Sequence, residues 1–298
     1  MIRVGPAGWS YADWAGVVYP KPRPKTFDPL AFMAGLFDAL ELNTSFYAPV
    51  SRRNCEQWLE RTAFNPDFRF TAKLWKRFTH ERDAVWTAHE VKQTRAGLDA
   101  LHEAGRLGAV LVQFPWSFRN TEDNRDWLDE VVSTFSDWPL VLEVRHLSWN
   151  EPDVYAELAE RGIGFVNIDQ PLFRDSIAPS ARVTSSVGYV RVHGRNYRDW
   201  FRKTAGPLER YDYLYPAKEL EPWAQRTQEM ASHPRVQDVY VVTNNHVRGK
   251  GIANAMMLQT MLTGRKVEAP ETLVRAYPKE LRPYVRQAPE APEQPASP

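Results

Sequence analysis

A single cysteine, Cys55, stands among 298 residues, so no internal disulfide forms and the fold must be held by a core. Charge of one sign is also missing: 38 Lys and Arg meet 37 Asp and Glu, a formal +1. That balance gives no global drive toward nucleic acid or an anionic membrane, so any anion site must be local. No apolar run approaches the roughly 20 residues that span a bilayer. The opening MIRVGPAGW lacks the apolar core of a secretory signal. A reducing, cytoplasmic location with no membrane partner is therefore expected. The sequence contains no GxSxG, HExxH or CxxC motif, which argues against the hydrolase elbow, the zinc-protease helix and the dithiol site. It also lacks a repeat with a period of about 20–50 residues, and so is not a solenoid.

What is present is a regular exchange of two hydrophobic periods. Period-two stretches predict strands over residues 2–5, 39–43, 68–73, 109–114, 139–145, 164–169, 187–195 and 236–244. Between most of them, period-3.6 stretches predict helices over 29–37, 51–62 (with Ser51 as cap), 84–104, a segment capped by Thr121, 151–161, 217–231 and a last helix over 252–262. Eight strands alternating with helices predict an α/β fold, a single TIM-like (β/α)8 barrel with long βα loops, over 1–286. An open doubly wound sheet would need a Gly-rich phosphate loop after its first strand, and GPAGW at 5–9 is a poor one. The segment QAPEAPEQPASP, 287–298, has too little apolar content to fold and reads as a disordered Pro-rich tail.

In VGYVRVHGR, 187–195, Val190 and Val192 point one way and Tyr189, Arg191 and His193 the other. The other predicted strands also end in polar residues: Glu41 and Asn43, Lys73, Gln113, Glu143 and Arg145, Asp169, Asn244 and Asn245. A spacing of two places Glu41 with Asn43, and Glu143 with Arg145, on the face opposite the helices, which is the barrel interior. Buried charge is costly unless paired, so a ring of such residues at the carboxyl mouth points to a site; an internal salt-bridge network closing the barrel end is the structural alternative.

Three further signals fall near the same ends. The loops after strands seven and eight carry His193, Gly194, Arg195 and Lys250, where barrels often hold a phosphate, although a solvated basic turn has the same composition. Trp9, Trp75, Trp116 and Trp149 fall just past strand ends, to stack a substrate or cover helix tops. Lys73 would serve as a Schiff-base residue if desolvated, whereas proximity to Glu41 would keep it charged. A divalent metal would draw on Glu41, Glu143, Asp169 and His193, but cations at neighbouring strand ends oppose it, so no cofactor or metal is expected.

These segments also carry a resemblance. GWSYADWAGVVYP (8–20), ELNTSFYAPV (41–50), FRFTAKLWKRFTH (68–80), LGAVLVQFPWSF (107–118), LEVRHLSW (142–149), YVRVHGR (189–195) and Asn244-Asn245 with the later Asn254-Ala255 resemble the YecE-like family, a domain of unknown function. The resemblance implies a TIM-like barrel. It places the family's recurrent polar residues at Glu41, Asn43, Tyr47, Lys73, His80, Gln113, Glu143, Arg145, His146, Trp149, Arg191, His193, Gly194, Arg195, Asn244 and Asn245. That barrel is similar in outline to the xylose-isomerase-like group, which includes metal-dependent apurinic endonucleases, but this sequence lacks their full set of ligands.

The expectation is an enzyme, a hydrolase or an isomerase or lyase, acting on a phosphate-bearing small molecule or nucleic acid. Glu41 and Glu143 would be acid and base, with Lys73, Arg145 and His193 beside them. Arg191, Arg195 and Lys250 would hold the anion, and Trp9, Asn43, Tyr47, His80, Gln113, Trp149, Asp169, Asn244 and Asn245 would line the substrate. The competing expectations are a non-catalytic nucleic-acid module that stacks an exposed base on Trp and, from the resemblance, a metal-dependent nuclease related to the xylose-isomerase-like barrels.

Overall fold

Strand β1 (Ile2–Pro6) opens the chain, and α1 (Pro29–Leu36) starts where the Asp28 carboxylate accepts from Leu30 N and Ala31 N. In order follow β2 (Ala39–Leu42), α2 (Arg52–Arg61), β3 (Arg69–Lys73), α3 (Ala88–Glu103), β4 (Leu107–Gln113), α4 (Glu122–Thr134), β5 (Leu140–Glu143), α5 (Pro152–Glu160), β6 (Gly164–Asp169) and β7 (Val187–Val192). The chain continues through α6 (Pro207–Arg210), α7 (Ala217–Ser232), β8 (Asp238–Thr243) and α8 (Lys250–Thr263). The computed structural model describes residues 1–200, 202 and 204–287.

All eight strands are parallel in one sheet ordered β1-β8-β7-β6-β5-β4-β3-β2. The two edges meet through a parallel bridge between Ala7 and Glu41, and Gly8 N donates to Glu41 O at 2.9 Å, so the sheet closes into a barrel. Gly5 makes this closure sterically possible: a Cβ there would lie 1.8 Å from Ala39 O. Inside the barrel lie Ala7, Ala39, Ala109, Leu111, Val141, Val166, Ile168, Tyr189, Tyr240 and Val242; the larger core lies between strands and helices. The TIM-like α/β fold read from the sequence is the observed fold.

Several boundaries differ. Helix α3 begins at Ala88 rather than 84, because Thr87 and Glu90 form a capping box: Glu90 N donates to Thr87 Oγ1 at 3.3 Å and Thr87 N to Glu90 Oε2 at 2.6 Å. Ser51 caps α2 as expected, accepting from Asn54 N, but Thr121 only occupies the cap position of α4 and its side chain makes no capping bond. Helix α8 is not the last. After it come β9 (Val267–Ala269), α9 (Glu271–Ala276), α10 (Pro278–Leu281) and β10 (Val285–Gln287), with β9 and β10 paired in parallel. Strand β10 takes in Gln287, the first residue of the expected tail; 288–298 lie outside the described residues.

The sixth crossover has no helix over residues 170–186, all of them described. Asn167 ties that segment to the outside of the barrel: its Oδ1 accepts from Ser180 Oγ at 2.7 Å and Arg182 N at 2.8 Å, and its Nδ2 donates to Arg182 O at 3.0 Å. Thr184 Oγ1 then bridges Phe165 N and Ile163 O. Among the described residues no helix is long and apolar enough to cross a membrane.

Candidate functional site

At the carboxyl mouth, Arg191 from β7 is fully buried and binds across the barrel. Its Nη2 donates to Glu41 Oε1 at 2.7 Å, and its Nη1 donates to Glu143 Oε2 at 2.5 Å and Gln113 Oε1 at 2.9 Å. Parity explains the meeting: Glu41, Gln113, Glu143 and Arg191 each follow by two an interior residue, namely Ala39, Leu111, Val141 and Tyr189. Arg145, just past β5, sends Nε and Nη2 to Glu143 Oε1 at 2.9 and 2.6 Å. The Tyr189 hydroxyl donates to Glu41 Oε2 at 3.0 Å and lies 2.8 Å from Thr71 Oγ1.

These contacts fix protonation. Burial alone would raise the Glu143 carboxyl, but Arg191, Arg145 and His193 overcome it and hold the group well below the usual carboxylate range. Arg191 stays a permanent cation, because Glu143 and Glu41 outweigh the burial that would lower it. His193 is driven the other way: burial, only partly opposed by Glu143, pushes it down to about 3. Asn244 Nδ2 lies 3.0 Å from His193 Nδ1, which assigns Nδ1 as acceptor and places the ring proton on Nε2, 3.5 Å from Glu143 Oε1. The site thus holds a fixed carboxylate and a neutral imidazole, and Glu143 has no proton to give at neutral pH.

Lys73, the last residue of β3, differs from its neighbours. Glu41 Oε1 and Oε2 are already taken by Arg191 and Tyr189, which leaves Lys73 Nζ at 3.8 Å from Oε1. Among the described residues Nζ has no hydrogen bond within 3.5 Å. Burial first, then repulsion from Arg191, lowers the amine to about 8 against the pull of Glu41 and Glu143. It reaches a cleft of about 670 Å³ together with Trp9, Asn43, Tyr47, Gln113 and Asn244, all expected from the sequence. Asn43 Nδ2 donates to the Tyr11 hydroxyl at 3.0 Å, and its Oδ1 is buried with no partner among the described residues.

A second cleft of about 320 Å³ adjoins the first, sharing Gln113, Arg210 and Tyr211 and adding His80, Trp116, Arg145 and Trp200. Burial and then Arg145 push His80 down to about 4, and its Nδ1 lies 2.9 Å from Thr79 Oγ1. Arg210 Nε is buried without a partner among the described residues.

Other expected site residues lie elsewhere. Asp169 ends β6 on the outer face, opposite in parity to the interior Val166 and Ile168; its carboxylate receives Arg195 Nε at 3.0 and 3.1 Å. Burial raises Asp169, and Arg195 opposes the rise. Gly194, at φ +95°, turns the chain so that Arg195 reaches this outer face; a Cβ there would also lie 2.8 Å from Tyr213 Cβ. Lys250 Nζ binds Asp212 Oδ1 at 2.6 Å. Asn245 Nδ2 donates to Tyr213 O and to Asn254 Oδ1, each at 2.8 Å. Trp149 is buried, donates to Phe118 O and stacks on the Phe118 ring, a packing role. The loops after β7 and β8 therefore spend Arg195 and Lys250 on local carboxylates. Because Asp169 faces away, Glu41, Glu143, Asp169 and His193 do not converge; among the described residues no group of three or more His, Cys, Asp or Glu is placed to hold a metal ion.

Sequence reasoning missed Tyr11, Trp58, His246, Arg210, Tyr211 and Trp200. Trp58 signalled only the apolar face of α2, yet it meets Trp9 edge-on at 5.3 Å beside the cleft. Tyr11 stacks on His246 with ring centroids 4.4 Å apart. Arg210, Tyr211 and Trp200 come from the segment between β7 and α7, where no periodicity exists to mark them.

Comparison with known proteins adds the lineage. The family described as "Protein of unknown function DUF72" matches residues 3–278. A Bacillus subtilis relative, the UPF0759 protein YunF, is 29% identical over 280 residues, 88% of this chain and 95% of its own. The crystal structure of a DUF72 family protein from Thermotoga maritima is similar with a TM-score of 0.75 and 32% identity, covering 88% of this chain and 99% of that one. A DUF72 family protein from Enterococcus faecalis gives a TM-score of 0.75 at 24% identity, over 88% and 95%.

Proposed function

The chain belongs to the DUF72 family, of which YecE-like is another name, and we propose that this member is an enzyme acting by acid/base chemistry on a small phosphate- or carboxylate-bearing molecule at the barrel mouth. One observation carries the reading. Two cationic side chains from separate elements, Lys73 and Arg210, border the same cleft with donors to spare among the described residues: Lys73 Nζ stands 3.8 Å from Glu41 Oε1, and Arg210, whose Nη2 donates to Arg202 O at 3.4 Å, leaves Nε without a partner. A cation whose nearest carboxylate stands 3.8 Å away and which borders a cavity is the complement of an anion.

The local count agrees. Around the mouth, Glu41 and Glu143 face Arg191, Arg145 and Lys73, two carboxylates against three cations, before Arg210 is added. A cleft of about 670 Å³ suits a sugar phosphate or nucleotide. The anion is assigned to Lys73, Arg145 and Arg210, since Arg195 and Lys250 are spent on Asp169 and Asp212. Lys73, close to its titration point at neutral pH, is the proton carrier; Glu143 and Arg191 set the field around it.

The test is ligand capture. The full protein, equilibrated with a small-molecule extract and washed, is expected to retain phosphate- or carboxylate-bearing compounds by mass spectrometry, and Arg210→Ala is expected to retain less. Retention of neutral compounds alone, or of none, contradicts the reading.

A further inference from the structure

We propose that Lys73 is a covalent amine nucleophile that forms an imine with the carbonyl of an anionic aldehyde or ketone bound in the cleft. The inference rests on the anion reading above and narrows it to a substrate class.

Glu41 is the carboxylate paired with Lys73. An ordinary buried lysine is held by its carboxylate, but here Arg191 takes Oε1 and Tyr189 takes Oε2, so the nearest acid stops 3.8 Å short of Nζ. What remains around Nζ is Arg191 from β7, Arg145 and Glu143 from the end of β5, and the uncharged rings of His80 and His246, with the Phe46 ring centroid 5.8 Å away. Burial and the two arginines favour the neutral amine, while the side chain keeps 13% of its surface open to the cleft. With the amine lowered to about 8, roughly a quarter is unprotonated at pH 7.5, against about a thousandth for an ordinary lysine. A lysine serving only to bind an anion needs none of this; a charged ammonium is better for it.

The step balances with water as the leaving group. The Nζ lone pair of the neutral amine attacks the carbonyl carbon, the carbonyl π pair passes to oxygen, and one of the two nitrogen protons transfers to that oxygen, giving the neutral carbinolamine. The nitrogen lone pair then forms the C=N bond as the C–O bond breaks, and a proton taken from solvent leaves with the hydroxyl as water. The product is the iminium, which returns one proton to solvent on becoming the neutral imine. Arg145 and Arg210 hold the phosphate or carboxylate of the substrate, which aims its carbonyl at Nζ.

The full-length protein is incubated with dihydroxyacetone phosphate and sodium cyanoborohydride, which reduces C=N to a stable secondary amine, and the sites are mapped by peptide mass spectrometry. The expected result is labelling of Lys73 on the order of a hundredfold faster than at exposed lysines such as Lys92, rising with a midpoint near pH 8. Labelling should be absent at position 73 in Lys73→Arg, slowed by inorganic pyrophosphate, and much weaker with neutral dihydroxyacetone. An adduct spread evenly over surface lysines, or equal labelling of Lys73 by both probes, overturns the proposal. Pyrophosphate that binds without any adduct at Lys73 overturns the imine alone and leaves the anion reading standing; failure of pyrophosphate to bind overturns that reading as well.

Discussion

Arg191 Nη1 and Glu143 Oε2 lie 2.5 Å apart with neither side chain exposed to solvent, and the same guanidinium reaches Glu41 Oε1 at 2.7 Å. Burying three charges is tolerated because each is hydrogen-bonded to another. Removing the central one leaves two carboxylates in the barrel with Lys73 and Arg145 at its edge. Arg191→Met is expected to lower unfolding free energy in urea by about 3–5 kcal/mol. An unchanged midpoint would show that the network does not form.

Closure of the barrel makes a steric prediction. Gly5→Ala would drive a methyl group into Ala39 O and is expected to cost about 3 kcal/mol or more. Gly35→Ala, where a Cβ meets nothing within 4 Å, is expected to be neutral or to stabilise α1 by about 0.5–1 kcal/mol. Differential scanning calorimetry of the two variants checks the contrast, and equal melting temperatures would contradict it.

Buried His193 sets a pH dependence. Burial lowers it to about 3, so between that value and about 6.5 this group binds more protons in the unfolded chain than in the folded one. Stability is full above about pH 6.5 and falls as the pH drops toward 3; below about pH 4.3 the depressed Glu143 adds its own loss in the same direction. Urea midpoints at pH 7, 5 and 4 are expected to decline in the wild type and less steeply in His193→Gln. Parallel slopes would mean that His193 is not buried neutral.

Much of this was legible in the sequence because the polar ends of β2, β5 and β7 follow the two-residue period of their strands, so they could be placed inside the barrel by parity. Strand β6 misleads by the same rule. Val166-Asn167-Ile168-Asp169 alternates too, but its polar residues point outward, where a helix-free crossover satisfies Asn167 and Arg195 satisfies Asp169, and alternation alone does not say which face is the interior. The capping box of α3 was present as Thr87 to Glu90 and was overrun by apolar residues upstream. Arg210, the last residue of the four-residue α6, and Tyr211 after it were invisible for another reason: regular structure there is too short for a hydrophobic period to mark it.

The outward pair separates site from scaffold. Arg195→Met leaves buried Asp169 without its cation and is expected to destabilise the fold by about 3 kcal/mol. Its affinity for pyrophosphate is expected to stay within about twofold of wild type, because Arg195 does not border the cleft. A large loss of affinity at unchanged stability would return Arg195 to the anion site.

The central claim is that the barrel mouth, through Lys73, takes an anion, and calorimetric titration of pyrophosphate into wild type and Lys73→Met tests it most directly. The account predicts salt-sensitive binding to the wild type that weakens by about tenfold or more in the variant, the loss of one charge-assisted hydrogen bond worth roughly 1.5–3 kcal/mol. Equal affinity in both proteins, or no heat of binding in the wild type, would contradict it.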